Sequence, residues 1–393
     1  MLRRRYLLCL AALPFLAAQT LLASTVQVGT CMTGLQSFST ISAAVSSVPS
    51  GSTVDVCPGT YAEQVTITLP LTLVGVTSGT ANQVLITVPA AGLVQNAVSM
   101  FGESVAAQVL VEAGPVNITN ITVDGTGGDM SCTNWLAGIF YGSGSSGTVN
   151  RVRASNQIDT TCGVGIWAEN ANTTGESVTV QNSTVYNVDS AGIFAGSGTT
   201  PTLTANLNDN VVNASAAVAA IDSDSVNGQV NGNDISNSVF GVFDISRIHV
   251  QTNRIIGATT AGIYMANGGT ASGNKVSFSG EGVLLGASGA TLSNNTIMSS
   301  TTAGVELGCF SATLNGNLIN DAPIGVDAAP ATVALGSTTF ANTATTFTNG
   351  CAAAALAART ALTSGAARVT AMRSSNLSEQ WHTPATPFGT RTK

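Results

Sequence analysis

A repeat of about 21 residues is the feature that most constrains how this chain can fold. The motif Asn-x-[Ile/Val] returns after Asn210 with steps of 23, 20, 21, 21 and 22 residues. A second motif, Gly-[Ile/Val], alternates with it, and its last four steps are 21, 20, 22 and 21 residues. A fixed short period of this kind is typical of repeat proteins. The copies begin at Asn150, Asn210, Asn233, Asn253, Asn274, Asn295 and Asn317, and at Gly138, Gly165, Gly192, Gly241, Gly262, Gly282, Gly304 and Gly325.

Each repeat carries two or three short segments in which small apolar residues alternate with polar ones, and the connections are too short for helices. One such unit cannot bury its apolar face alone. Units stacked one strand spacing apart, about 4.8 Å, bury a continuous core and align like residues, so that each repeated Asn can hydrogen-bond to the next. We therefore predict an all-β fold, a single-stranded parallel β-helix solenoid. The alternative is an antiparallel sandwich with accidental spacing, which the scarcity of hairpin dipeptides disfavours.

Composition excludes several classes of protein. Only 8% of the 393 residues are charged, which argues against a coiled coil, and the 44% of hydrophobic residues argues against disorder. The net charge of −7 argues against nucleic acid as a partner. Residues 25–351 hold five basic and 19 acidic residues, a net charge of −14. Such a body repels polyanions such as pectate or DNA unless metal ions bridge them.

The two ends of the chain differ from the middle. Residues 1–24 have a charged start at Arg3–Arg5, a short apolar run and a small residue at Ala23, the pattern of a secretory signal peptide. We predict a secreted, periplasmic or extracellular protein with no transmembrane segment after signal removal. Residues 25–350 are predicted to form the β-helix domain. Residues 351–393 are predicted to be an Ala-rich tail, helical or disordered.

Six cysteines remain after the signal peptide, and an even number in an exported protein suggests disulfides. Six cysteines allow about 15 pairings. The simplest arrangement joins neighbours in sequence, because each neighbouring pair is one or two repeats apart. The predicted disulfides are Cys31–Cys57, Cys132–Cys162 and Cys309–Cys351.

The early repeats are longer than the late ones. Steps of 27 residues separate Gly138, Gly165 and Gly192, which implies inserted loops. Residues 125–135, 155–163 and 169–177 are expected to protrude on one side of the solenoid. Such insertions often line a binding face, although a tolerated surface insertion explains them equally well.

Residues 38–76 resemble the opening of right-handed parallel β-helix proteins such as pectinesterases and pectate lyases. The likeness includes a short amphipathic segment followed by a strand and the motif Pro58-Gly59-Thr60-Tyr61-Ala62-Glu63. The later repeats resemble those of NosD-like periplasmic proteins. The resemblance implies a right-handed solenoid of the pectin lyase-like superfamily. It also implies about ten to twelve coils over 36–345 and a capping helix near 38–48.

The catalytic blocks of these relatives are missing. Blocks like those of pectinesterases, polygalacturonases and alginate epimerases do not occur, so no catalytic residue can be carried over from the resemblance. Tyr61 and Glu63 are interpreted as structural residues of the first coil and its turn.

One group of polar residues could form a site. Asp222 and Asp224 are expected on one strand face, with Asp244 one repeat beyond them, and His249 is the sole histidine of the body. Acids, an arginine and a histidine on adjacent coils are the parts used in polysaccharide hydrolysis or β-elimination, and the carboxylates could hold Ca²⁺. A solvated strand face is the plainer interpretation. The candidate site residues are Asp222, Asp224, Asp244, Arg247 and His249, with Gln251 on the same face.

Two further sets of charges fall at equivalent repeat positions. Asp234, Arg254 and Lys275 each follow a repeated Asn and are expected to stack on three successive coils as a surface ladder. Glu306 and Asp327 are expected side by side, where they repel each other unless a cation or sugar hydroxyls lie between them.

Three functions remain open from the sequence. The first is a secreted β-helix that binds a polysaccharide or another cell-envelope polymer without catalysis. The second is a divergent polysaccharide lyase or glycoside hydrolase, and the third is a structural or adhesin-like rod. The predicted partner is a glycan and the predicted state is a monomer, with no cofactor expected apart from Ca²⁺.

Overall fold

The computed structural model describes residues 22–77, 83–128, 131–198, 200–214, 217–327 and 333–348. The fold prediction is confirmed: the chain winds through three stacked parallel sheets and passes from the first to the second to the third in every coil. In the described part, eleven coils place a strand in all three sheets, and a twelfth contributes to the last two. This number agrees with the ten to twelve coils expected.

The first sheet has 13 strands, which pair in parallel with the next coil throughout. In stacking order its strands are Gln36–Phe38, Thr25–Val28, Ser52–Val56, Leu71–Gly75, Val116–Thr119, Gly147–Asn150, Glu176–Gln181, Leu203–Asn208, Asn227–Asn231, His249–Gln251, Gly269–Ser272, Ala290–Ser293 and Ala312–Asn315.

The second and third sheets merge into one 23-stranded sheet because Asp234–Asp244 and Arg254–Met265 run through both. The other strands of the second sheet are Gly59–Ala62, Val84–Thr87, Thr122–Asp124, Arg153–Ser155, Thr184–Tyr186, Val211–Asn213, Lys275–Ser277, Thr296–Met298, Leu318–Asn320 and Thr339–Ala341. Those of the third are Val65–Ile67, Ser104–Val111, Trp135–Tyr141, Gly163–Asn170, Ala191–Ser197, Ala219–Asp224, Glu281–Leu285, Ala303–Glu306, Ile324–Asp327 and Thr345–Phe347, with Ala97–Val98 antiparallel to Ser104–Val111.

Alternate side chains of each strand point inward and form one continuous apolar core. In the third sheet the residue after each repeated Gly is such a position, as for Ile166, Ile193 and Ile263, which are all buried. The glycines themselves have no room for a side chain: a Cβ on Gly262 would lie 2.2 Å from the side chain of Val276. Close approach of two sheets at this corner therefore explains the Gly-[Ile/Val] motif.

The repeated Asn forms a buried ladder at the corner between the first and second sheets. The side-chain oxygen of each Asn accepts the backbone N–H of the preceding Asn, from Asn210 to Asn317. The ladder continues upward through the hydroxyl of Ser183, which accepts the N–H of Val152. Asn150 lies outside the ladder, on the outer face of the first sheet, so its assignment to this motif is wrong by two residues.

The capping helix is confirmed and spans Ile41–Ser47. Its inner face buries Ile41, Ala44 and Val45 over the open end of the core. Glu63 accepts the backbone N–H groups of Ile41 and Ser42 at 2.8 and 2.9 Å, and so serves the helix N-terminus. The structural interpretation of Glu63 is therefore confirmed.

Two of the three predicted disulfides are present. Cys31–Cys57 joins the first strand region to the first coil, and Cys132–Cys162 joins two of the inserted loops. The third pairing, Cys309–Cys351, involves a cysteine outside the described residues and stays a prediction. Most of the predicted signal peptide, 1–21, and the Ala-rich tail, 351–393, also lie outside them.

The inserted loops leave the solenoid at two corners, which corrects the expectation of one side. Residues 125–134 and 156–162 lie between the second and third sheets, whereas 171–175 lie between the third sheet and the first. Within the described part, no helix has the length and apolar character needed to span a membrane.

Candidate functional site

The outer face of the first sheet is an uncharged polar surface, called the polar face below. Two columns of residues point outward from its strands, and their members are half-buried or exposed on every coil. The first column is Thr72, Asn117, Thr148, Thr179, Asn206, Gln229, His249, Thr270, Thr291 and Thr313. The second is Val74, Thr119, Asn150, Gln181, Asn208, Asn231, Gln251, Ser272, Ser293 and Asn315.

Neither column contains Asp, Glu, Lys or Arg, although the body of the chain is strongly acidic. The sequence carries a signal for this face that the two repeat motifs do not include: the two columns lie four and two residues before each ladder Asn. Gln229 and Asn231 precede Asn233 in this way, and His249 and Gln251 precede Asn253.

Hydrogen bonds between coils hold part of this surface in place. The side-chain amide of Gln251 donates to Gln229 Oε1, and that of Gln229 donates to Asn208 Oδ1, each at 3.0 Å. The hydroxyl of Thr252 donates to Asn231 Oδ1 at 2.6 Å. These amides are therefore oriented before any ligand arrives, which lowers the entropy that binding would cost.

A groove of about 640 Å³ lies along the early part of the polar face. Its floor includes Asn117, Thr148 and Thr179 of the first column, and Glu176 contributes the carboxylate of its lining. A smaller pocket of about 140 Å³ adjoins the third-to-first corner and is lined by residues such as Asn172 and Thr202. The inserted loop 171–175 stands between the two, so this one of the predicted loops borders a concave surface.

The structure places part of the predicted site on the polar face. His249 and Gln251 both point outward from one strand, as expected, and His249 is exposed. Arg247 lies in the turn before that strand with a left-handed backbone, φ 75°, and its Nε donates to Asn267 O at 2.6 Å. These three residues form one edge of the polar face on adjacent positions.

The three carboxylates lie elsewhere, on the third sheet. Asp222 and Asp224 share the outer side of one strand, as predicted, but Asp222 is buried between Phe194 and Phe243 of the neighbouring coils. Asp244 pairs with Ser223 and not with Asp222, so its side chain points inward. The prediction that all five residues line one site is therefore wrong, because a shift of one residue reverses the face of a strand.

Asp244 lies inside the solenoid, next in its column to the core residue Met265. Its Oδ1 accepts the hydroxyl of Ser223 at 2.9 Å and the backbone N–H of Ser246 at 2.7 Å. Burial raises the pKa of Asp244 to about 6. A carboxyl in this place holds the corner of its coil and has no access to a polymer outside.

The surface ladder of charges is confirmed. Asp234, Arg254 and Lys275 pair in register on three successive coils, and Arg254 Nη1 lies 2.7 Å from Asp234 Oδ1. Glu306 and Asp327 are likewise neighbours on the third sheet. Among the described residues, no three His, Cys, Asp or Glu side chains converge as metal ligands, so Ca²⁺ remains a prediction without a located site.

The comparisons with known proteins agree with this architecture. A family model described as "Right handed beta helix region" matches residues 164–325. The chain is a right-handed parallel β-helix of the pectin lyase-like type. No curated protein sequence matches it significantly.

Two solved structures with this fold are A-modules of mannuronan C-5 epimerases from Azotobacter vinelandii. The AlgE4 module matches with a TM-score of 0.54 and 13% identity, over 78% of this chain and 90% of its own. The AlgE6 module matches with a TM-score of 0.50 and 15% identity, over 76% of this chain and 87% of its own. At these identities the likeness shows the fold of the β-helix and leaves its chemistry to the residues present.

A buried aromatic cluster on the outer side of the third sheet was not foreseen. Trp135, Phe140, Trp167 and Phe194 stack on successive coils with ring centroids 5.1 to 5.6 Å apart. The segment 88–103 lies across them, and Phe101 packs on Phe194 at 6.0 Å. The cluster is a small second core, so these rings are not a platform for a ligand.

Glu169 fastens that covering segment. Its carboxyl accepts the backbone N–H of Met100 at 2.8 Å and the indole N–H of Trp167 at 3.1 Å. Burial raises the pKa of Glu169 to about 8, although both donors favour the ionised form. The group is thus neutral at neutral pH and serves as a latch between two elements 69 residues apart in sequence.

A second buried carboxyl organises the inserted loops. Asp189 accepts the backbone N–H groups of Asp159 and Gly163 at 2.6 Å each. Burial raises the pKa of Asp189 to about 6. Asp159 in turn accepts the backbone N–H of Cys132, beside the disulfide to Cys162. These carboxyls order the loop corner, and no feature of the sequence repeat distinguishes them from surface acids.

Proposed function

We propose that the protein is a secreted, non-catalytic binder of an uncharged polysaccharide that lies along the polar face. The observation that carries this proposal is the pair of solvent-facing columns, uncharged over ten successive coils in a body of net charge −14. Amide and hydroxyl groups are the donors and acceptors that suit sugar hydroxyls.

The periodicity of the polar face supports a polymeric ligand. Equivalent side chains recur at each coil, about 4.8 Å apart along the axis. A ligand that itself repeats can use the same contacts many times, and weak contacts in register add up to useful affinity. The groove beside Thr148 and Thr179 supplies the concave part in which a chain can be seated.

Charge favours a neutral chain over an acidic one. The two columns offer no Lys or Arg to a carboxylate, and Glu176 in the groove opposes it. The fold neighbours are named for mannuronan, which supports a polysaccharide as the general class of ligand. Secretion is supported by the signal-like residues 1–24 and by two disulfides.

The test is a glycan array with the full chain, followed by titration calorimetry on the polymer that binds. We expect a neutral polysaccharide to bind and pectate not to bind, with neither new reducing ends nor unsaturated sugars after long incubation. The double variant Asn206→Ala/Gln229→Ala should weaken binding about tenfold or more. The matched control, Thr184→Ala on the second sheet, should bind as the wild type does.

Each other outcome identifies a different function. Cleavage products would establish the lyase or hydrolase interpretation instead. A chain that binds none of the polysaccharides would contradict the proposal and leave the structural rod. Binding that survives the double variant would place the ligand on another face.

A further inference from the structure

Phe278 is an exposed aromatic residue in a strained backbone conformation. It follows the second-sheet strand Lys275–Ser277 with φ 55°, and its side chain is 66% exposed. The equivalent corner residues of other coils are Asn237, Gly257 and Asp321, types that tolerate positive φ. A bulky residue at such a position costs about 1 kcal/mol or more, and burial of the ring does not offset that cost.

Phe278 begins a row of exposed apolar side chains on the outer face of the second sheet. Met298 is 37% exposed on the next coil and Leu318 is 38% exposed on the coil after that. Each is displaced by one outward position from the one before it, so the row crosses the strands diagonally. An exposed apolar row next to a strained aromatic residue is typical of a contact surface.

The register gives this surface a simple layout of three coils by three outward positions. Lys275, Ser277 and Phe278 lie on one coil, and Thr296, Met298 and Ser299 on the next. Leu318, Asn320 and Asp321 lie on the third. The apolar row is one diagonal of this grid, and Lys275 and Asp321 occupy the two opposite corners.

We propose that this grid binds a second copy of the same chain, with the two-fold axis along the apolar diagonal. Rotation about that axis brings each apolar residue against its own equivalent. It also brings Lys275 of one copy against Asp321 of the other, and Ser277 against Ser299. The surface is thus self-complementary in both charge and polarity, which is what an isologous interface requires.

The charge distribution favours a second copy at this place. Two bodies of net charge −14 repel each other, so a contact between them needs a neutral face. The grid contains one Lys and one Asp and is neutral overall. The ion pair found in the described part is Arg254–Asp234, and Lys275 has no acidic partner in that part of its own chain.

Nine surface positions per copy make a small interface, so the dimer is expected to be weak and reversible. It would join two solenoids side by side and leave both polar faces free for a polymer. This state replaces the monomer expected from the sequence.

Sedimentation velocity of the full chain over a concentration series tests the proposal. We expect a monomer that converts to a dimer as concentration rises. Phe278→Asn should raise the dissociation constant about tenfold or more and should not lower the melting temperature, because Asn tolerates the same backbone conformation. The matched control is Val211→Asn, an exposed apolar residue of the same sheet outside the grid.

Charge reversal and cross-linking test the axis itself. Lys275→Asp and Asp321→Lys should each weaken the dimer, and the double variant should restore it. Met298→Cys lies on the axis and should form a disulfide with its equivalent under oxidation, whereas Thr313→Cys on the first sheet should not. A monomer at every soluble concentration would overturn the proposal, as would a dimer indifferent to Phe278→Asn, or loss of glycan binding in that variant without any dimer in the wild type.

Discussion

The side-chain oxygen of Asn274 accepts two hydrogen bonds from Asn253, one from the backbone N–H and one from the amide, each at 3.0 Å. The amide of Asn274 donates in turn to Val250 O and to Asn295 Oδ1, both at 2.9 Å. Every buried polar atom at this corner is thus paired with a neighbouring coil. The ladder converts a chemical repeat into a fixed vertical register.

We expect Asn274→Ala to lower the free energy of unfolding by about 3 kcal/mol. The substitution leaves the N–H of Asn253 and the carbonyl of Val250 buried without their partners, and each such loss costs about 1–3 kcal/mol. Chemical denaturation measures the change. Thr313→Ala, in an exposed position of the first sheet, is the control and should change stability little; equal losses in both variants would contradict the role of the ladder.

Stability should fall as pH rises from about 6 to 8, and Glu169 is the expected cause. Its folded pKa of about 8 lies above its ordinary value of 4.5, so the folded state binds the proton more tightly. The resulting stability is present at low pH and is lost as pH rises through this window, at up to about 1.4 kcal/mol per pH unit. Asp189 and Asp244, with pKa values of about 6, act in the same direction at lower pH.

Melting temperatures of the wild type and Glu169→Gln at a series of pH values check this assignment. The variant should show a flatter profile between pH 6 and 8, because no proton is released there. Hydrogen exchange should also report faster opening of 94–103 in the wild type at the higher pH. A slope that Glu169→Gln leaves unchanged would assign the effect to another group.

Asp244 and His249 should separate cleanly in mutagenesis. Asp244→Ala removes a buried acceptor from Ser223 and Ser246, so we expect a loss of about 2 kcal/mol of stability. His249→Ala alters an exposed residue of the polar face and should leave stability unchanged while weakening the polymer. Unfolding curves and calorimetric titration, run on both variants, distinguish the two roles; the reverse pattern would restore Asp244 to the site.

A non-reducing peptide map should link Cys309 to Cys351. The other two predicted pairs are in place, with Cα–Cα distances of 5.6 and 5.7 Å, so these are the two cysteines left in the mature chain. Their disulfide would close a loop of tens of residues and contribute about 3–4 kcal/mol. A free thiol at either position, detected by alkylation before reduction, would refute the pairing.

The sequence by itself determined the solenoid, because the constraint is local and repeated. An Asn every 20 to 23 residues and a Gly between them specify one corner hydrogen bond and one close approach per coil, and stacking does the rest. The capping helix, the role of Glu63 and the ladder of Asp234, Arg254 and Lys275 follow from the same periodicity. Even the polar face is written at fixed offsets from the ladder Asn, at Gln229 and Asn231 as at His249 and Gln251.

Only the tertiary structure decided which face each residue occupies at the corners. Asp222 and Asp244 are 22 residues apart, one more than the 21 that separate Ser223 from Asp244, and this single residue turns Asp244 inward. The alternation of a strand has a period of two, so a count along the sequence cannot absorb an irregular corner, whereas backbone pairing can. The same pairing brings Met100 onto Glu169 and places Phe278, Met298 and Leu318 in one row, because contacts between distant coils depend on register.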